Sequence, residues 1–150
     1  GTGAYNQLAF FNANGNVGNI QTNGTATSYF TSSDYRLKEN VDYDWDATTR
    51  LKQLKPARFN FIADADTTVD GFLAHEAQAV VPESVSGTKD AVEVWKEHEE
   101  LPDGVSVGDN KLDADGNTTP EMQGIDQAKL VPLLTKTILE LEARITALEG

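Results

Sequence analysis

Ser33 and Lys38 are the two side chains of this sequence whose types and spacing could do chemistry together. A serine hydroxyl becomes a nucleophile when a neighbouring base takes its proton, and a desolvated lysine amine can be that base. The oxyanion formed on attack needs donors, either backbone N–H groups or a carboxamide such as that of Asn40. The spacing alone is weak evidence, because a serine and a lysine so separated usually share only a solvated loop. Their position adds weight. Residues 1–33 contain no Asp, Glu, Lys or Arg, whereas charge is dense from Asp34 onward. A Ser–Lys pair at the junction of two unlike segments suggests a chain that cuts itself there.

The elements around the pair follow from composition and periodicity. Residues 5–33 are rich in Gly, Asn and Thr, with short apolar bursts at Leu8, Phe10 and Phe11, at Val17 and Ile20, and at Tyr29 and Phe30. Asn14-Gly15 and Asn23-Gly24 mark tight turns between short strands. The segment has too few apolar groups to fold alone. It reads as a strand-rich piece of an intertwined homo-oligomeric fibre, with a flexible linker as the plainer alternative. The residues Gly1-Thr2-Gly3, with no Met, read as a piece of something longer.

Downstream, residues 45–54 predict a helix closed by Pro56, and residues 57–62 a strand. Asp64-Ala65-Asp66 reads as a turn, residues 69–74 as a second strand, and residues 75–80 as a short helix ended by Pro82. Residues 91–95 read as a strand and Asp113 to Asn117 as a turn. Asp126 is placed to cap a helix running from 126 to 149. Along it, Val131, Leu134, Ile138, Leu141, Ile145 and Leu148 repeat at three and four residues, with β-branched residues at one seam position and Leu at the other. That is a short coiled-coil seam, although an amphipathic helix packed on its own domain has a similar pattern. Glu140 and Arg144 are spaced as an outer ion pair. The expected fold class is therefore α+β, made of a strand-rich N-terminal segment, a small α+β module and a long C-terminal helix.

Composition removes several function classes. A net charge of −12 argues against nucleic acid and against anionic membrane surfaces. No apolar run approaches the roughly 20 residues of a membrane span, so membrane insertion is not expected. The absence of cysteine excludes disulfides and thiolate metal sites. No cofactor and no metal is expected. His98, amid Glu97, Glu99 and Glu100, reads as a surface residue, and Asp113-Ala114-Asp115-Gly116-Asn117 lacks the order of ligands of a calcium loop. No pair of carboxylates is placed for polysaccharide hydrolysis.

Ser32-Ser33-Asp34-Tyr35-Arg36-Leu37-Lys38-Glu39-Asn40-Val41 resembles the opening signature of the S74 peptidase family. These are the self-cleaving intramolecular chaperone domains of phage endosialidases, tailspikes and tail fibres. Three later blocks are similar to its members: Leu51-Lys52-Gln53-Leu54-Lys55-Pro56; Gly71-Phe72-Leu73-Ala74-His75-Glu76-Ala77-Gln78; and Gly124-Ile125-Asp126 leading into Leu130-Val131-Pro132-Leu133-Leu134. The resemblance spans about 34 to 149.

It implies a homotrimer in which residues 34–150 are the chaperone and residues 1–33 the end of the fibre or tailspike. By position Ser33 is the family's serine and Lys38 its lysine, with the cut beside Ser33, at Ser33–Asp34 in the first place and at Ser32–Ser33 as the alternative. Asn40, His75 and Glu76 are candidates for supporting roles. The partners implied are the chain's own copies and its upstream fibre segment. The setting implied is a virion tail fibre precursor, folded and cut in the host cytoplasm, whose chaperone is then released. The competing expectation is a non-catalytic trimerisation and receptor-tip module.

Overall fold

The computed structural model describes residues 3–150, so of the opening tripeptide Gly1 and Thr2 lie outside the described residues. The chain forms two compact units, one ending at Asp44 and one running from Trp45 to Gly150. The expected division at 33/34 concerns where the backbone is cut, which is a different property from where packing divides.

The first unit is an antiparallel three-stranded meander within one chain: β1 (Tyr5–Asn12), β2 (Gly15–Thr22) and β3 (Thr27–Thr31). Asparagine makes the turns. Asn12 Oδ1 accepts from Asn14 N–H, and Asn23 Oδ1 accepts from Thr25 and Ala26 N–H. Both replace backbone partners that the strands cannot supply at a reversal. Gly18 lies opposite Thr31, and a Cβ there would come 2.7 Å from the Phe30 carbonyl oxygen, so only glycine lets β2 and β3 close. Leu8, Ile20 and Tyr29 share one face and Ala9, Asn19 and Phe30 the other. Tyr5, Leu8, Phe10, Phe11, Tyr29 and Phe30 all remain exposed. A sheet of this size with open apolar faces on both sides needs further packing to be stable.

The second unit is built on a small core of Ala47, Val81, Leu130 and Leu133, with Trp45, Leu51, Leu54, Phe72 and Val80 packed around it. Helix α1 (Ala47–Leu51) is only five residues long, too short to persist unaided. Three of its free N–H groups are satisfied by carboxylates. Asp46 Oδ1 accepts from Thr49 N–H at 2.9 Å, while Glu140 accepts from Ala47 N–H at 2.9 Å and Thr48 N–H at 2.8 Å. Glu140 sits on α3 (Val131–Glu149), so this cap also docks the two helices. The expected outer pair of Glu140 with Arg144 is thereby corrected: the carboxylate is turned inward onto α1.

This cap gives unit two an acid-sensitive joint. The Thr48 hydroxyl, then the Ala47 and Thr48 N–H groups, hold the Glu140 carboxyl below its ordinary 4.5, against partial burial. Asp46 is lowered by its bond to Thr49 in the same sense. A depressed folded value means the stabilisation is full above the unfolded value and is lost as pH falls through the folded one. Unfolding by urea is therefore expected to need less denaturant at pH values below about 4 than at neutrality. Glu140→Gln should flatten that dependence and lower neutral stability; an unchanged acid slope in the variant would refute the assignment.

The rest of the unit differs from expectation in detail. Strands β4 (Ala57–Phe61) and β5 (Asp64–Gly71) form a hairpin whose turn is Ile62-Ala63, so Asp64-Ala65-Asp66 begins the strand and is not the turn. A bulge beside Asn60 makes this fit, with Asn60 Nδ2 donating to the Ala65 carbonyl and to Thr68 Oγ1. Helix α2 (Ala74–Gln78) follows, and a two-residue strand β6 (Val85–Ser86) pairs with β7 (Gly124–Ile125). Between them, isolated antiparallel bridges join Val92 to Pro120 and Val94 to Asn110, and a third joins Leu112 to Thr118. The Asp113 to Asn117 turn closes as expected, its Asp113 Oδ1 accepting from Asp115 and Asn117 N–H.

Asp126 caps a 3₁₀ turn (Gln127–Leu130) by accepting from Ala128 N–H at 3.0 Å, and α3 proper begins at Val131. Pro132 explains the offset from the expected start at 126. It lacks an N–H and its ring would crowd the carbonyl of residue 128 in a longer α-helix, so it belongs in the first turn. Leu130, Leu133 and Thr137 face the core, and Thr137 is 3 % exposed. Its Oγ1 is buried without a hydrogen-bond partner among the described residues. Thr137→Val keeps the shape and removes that hydroxyl, so it should stabilise the unit by about 1 kcal/mol. Thermal unfolding measures this, and a destabilised variant would contradict it.

Candidate active site

The meander delivers its last residues to the pair. Ser32 is held against β2, its N–H donating to the Val17 carbonyl at 3.1 Å and its hydroxyl to the Asn16 carbonyl at 3.3 Å. Ser33 follows, and the chain then turns sharply through a 3₁₀ turn, Tyr35–Leu37. Asp34 is its cap: it accepts at Oδ1 from Arg36 N–H at 2.9 Å and, through its carbonyl, from Leu37 N–H at 3.1 Å. Lys38 N–H closes the turn on the Tyr35 carbonyl at 3.1 Å. The turn folds the chain back by about the reach of a lysine side chain, and Lys38 Nζ donates to Ser33 Oγ at 2.8 Å. The structure thus brings together the two residues singled out by type and spacing.

Asp34 is also gripped from the side. Arg36 Nε donates to Oδ1 and Arg36 Nη2 to Oδ2, both at 2.9 Å, a two-pronged pair. This bond is the main reason the Asp34 carboxyl lies below its usual range, with the charge of Lys38 adding in the same direction. Every residue from Thr31 to Asp44 is exposed. Asn40 takes a left-handed conformation with φ of 51°, which asparagine tolerates better than most residues. Sequence reading missed Arg36, although an acid two residues before a base beside the pair was visible.

His75 and Glu76 lie on α2 in the second unit. Glu76 pairs with Lys55 at 3.0 Å, so it ties α2 to the residues ahead of β4. His75 is half-buried and lines a shallow hollow with Lys89, Asp90 and Gln123. Gly71, at the head of this block, packs against the Phe59 ring; a Cβ there would lie 3.2 Å from it. His98 is exposed, and Glu99 is tied to Lys111 at 2.6 Å and to Lys96 N–H at 2.7 Å.

The seam residues form a second candidate surface. Val131, Leu134, Ile138, Leu141, Ile145 and Leu148 are all exposed, with Ile138 at 65 %. They occupy a stripe separate from Leu130, Leu133 and Thr137, which pack inward, so α3 carries one apolar stripe for its own core and one that this core does not use. Leu134 also lines an apolar groove of about 350 Å³ with Leu51, Leu54, Pro56, Phe72 and Leu130. Residues 141–150 are exposed throughout.

Along the chain, a serine and a lysine in contact thus come before a small α+β module that ends in a helix with an exposed apolar stripe. Residues 33–86 match the model of the Peptidase_S74 family, described as the chaperone of endosialidase, which is the family the sequence resembles. The matched segment starts at Ser33 and takes in the 3₁₀ turn, α1, the β4–β5 hairpin, α2 and β6. No curated protein matches the chain.

Proposed function

We propose that this chain is a self-processing chaperone. Three copies assemble through α3, hold the strand-rich segments ahead of the seam in register, and then cut themselves beside Ser33. The observation that carries the reading is the 2.8 Å contact between Lys38 Nζ and Ser33 Oγ at the first residues of the matched segment. With its amine neutral, Lys38 takes the hydroxyl proton as Oγ attacks a backbone carbonyl carbon. Attack on the Ser32 carbonyl forms a C–Oγ bond, the C–N bond to Ser33 breaks, and the proton passes from Lys38 to the departing nitrogen. Water then hydrolyses the ester, returning the serine hydroxyl. Attack by Ser33 on its own carbonyl would close a strained four-membered ring, so a cut at Ser33–Asp34 calls for the serine of a neighbouring subunit.

Both members of the pair are exposed in the single chain. A lysine base needs desolvation, which on this reading comes from the assembled subunits. Cleavage then follows assembly and marks its completion. The open seam on α3, the groove beside Leu134 and the uncovered faces of the meander all supply apolar surface for that assembly. Valine or isoleucine at one seam position with leucine at the other would by itself favour two strands, so the number three rests on the family. The setting that goes with this reading is a virion tail fibre precursor processed in the host cytoplasm, with the chaperone leaving the mature fibre.

A second reading has the exposure of the pair on its side: a trimerisation and receptor-tip module in which Ser33 and Lys38 are inert. Weighing freshly refolded chain by mass spectrometry separates the two. Self-processing gives pieces 1–33 and 34–150, or 1–32 and 33–150, whereas the inert module stays whole at every time point.

A further inference from the structure

We propose that Asp34 and Arg36 are positioning residues for the Ser33–Lys38 pair: the forked carboxylate caps the turn that returns Lys38 to Ser33, and Arg36 keeps that carboxylate's charge from holding the amine as an ammonium. The inference rests on the self-processing reading and extends it to two side chains beyond those of Ser33 and Lys38.

Two requirements meet at Asp34 and conflict. The 3₁₀ turn needs an acceptor at its cap, and Asp34 supplies one to Arg36 N–H. A free carboxylate four residues before the lysine, however, favours the charged form of the amine, which cannot accept a proton. Arg36 resolves this by occupying both carboxylate oxygens at 2.9 Å. A guanidinium does this better than an ammonium because its fork matches the carboxylate and it stays charged. The other acid beside the amine in the chain is Glu39, whose side chain follows Lys38 directly. The fork is too exposed to matter for stability, with Arg36 at 74 % and Asp34 at 42 %. Its loss should therefore leave folding intact, which makes a change in cleavage interpretable.

The test refolds the full chain carrying Arg36→Ala, Arg36→Lys, Asp34→Asn or the Asp34→Asn/Arg36→Ala pair into buffers from mildly acid to alkaline. It follows fragment release by mass and checks oligomer size and thermal unfolding alongside. Arg36→Ala should cut about threefold more slowly at neutral pH, with its rate profile moved up by about half a pH unit. Arg36→Lys should recover part of the loss. The double variant should regain rate over Arg36→Ala, because asparagine still caps a turn but carries no charge. A normal Arg36→Ala rate, or a slower rate with an unmoved profile, overturns the proposal. So does a double variant no faster than Arg36→Ala. Lys38→Met run in parallel keeps the readings apart: if it still cuts, the Ser–Lys reading itself is lost.

Discussion

Lys38→Met should leave the chain whole, with release of the N-terminal piece slowed by about a hundredfold or more, the usual contribution of a positioned general base. Methionine keeps the length and packing of the lysine stem but has no amine. Lys38→Arg is the sharper variant. It retains positive charge and can still donate to Ser33 Oγ, yet a guanidinium does not give up its proton near neutrality. A chain that needs only a cation beside Ser33 would be cut in Lys38→Arg, and one that needs a base would not. Ser33→Ala should also remain intact, and all three variants should assemble as the parent does. Cleavage of Lys38→Met and Ser33→Ala at the parent rate, measured by mass spectrometry over a refolding time course, would falsify the dyad.

The second large effect is expected on α3. Ile138→Asp places a carboxylate in the middle of the open seam, where each copy would face the same charge on its neighbours. Assembly should fail, sedimentation should report the mass of one chain, and cleavage should disappear with it although Ser33 and Lys38 are untouched. Because Ile138 is exposed in the single chain, the second unit should keep its fold and its thermal transition. Leu133→Asp is the contrasting substitution: Leu133 is 2 % exposed in the core, and a charge there should unfold the unit outright. If Ile138→Asp still sediments as the parent does, the seam is not the assembly surface. If it sediments as one chain yet still cuts, assembly is not what activates the pair.

What could be read from the sequence followed the range of the interaction. The turn that joins Ser33 to Lys38 is local, so residue type and spacing raised the pair as a weak candidate, and the resemblance carried by residues 32–41 gave it weight. The seam on α3 is periodic, and every residue assigned to it from spacing is exposed. Glu140 could not be read in this way. Its partners are 93 and 92 residues away, and nothing in its own helix shows that the carboxylate faces inward. The strand beginning at Asp64 was hidden for a different reason. Two aspartates flanking an alanine favour a turn by propensity, but pairing with β4 and the Asn60 side chain hold them extended. Arg36 was overlooked because an exposed acid–base pair has little meaning until the backbone turn beside it is seen.

The meander described above holds no acidic, basic or histidine side chain; its only ionisable groups are the phenols of Tyr5 and Tyr29. On the proposed cut, the whole net charge of −12 leaves with the severed piece. Within residues 1–33 the cut itself leaves one new acidic group, the carboxylate at the end of the severed strand segment. Mutual repulsion between the side chains of neighbouring copies would fall on the discarded portions, favouring their dispersal once the link to the fibre is gone.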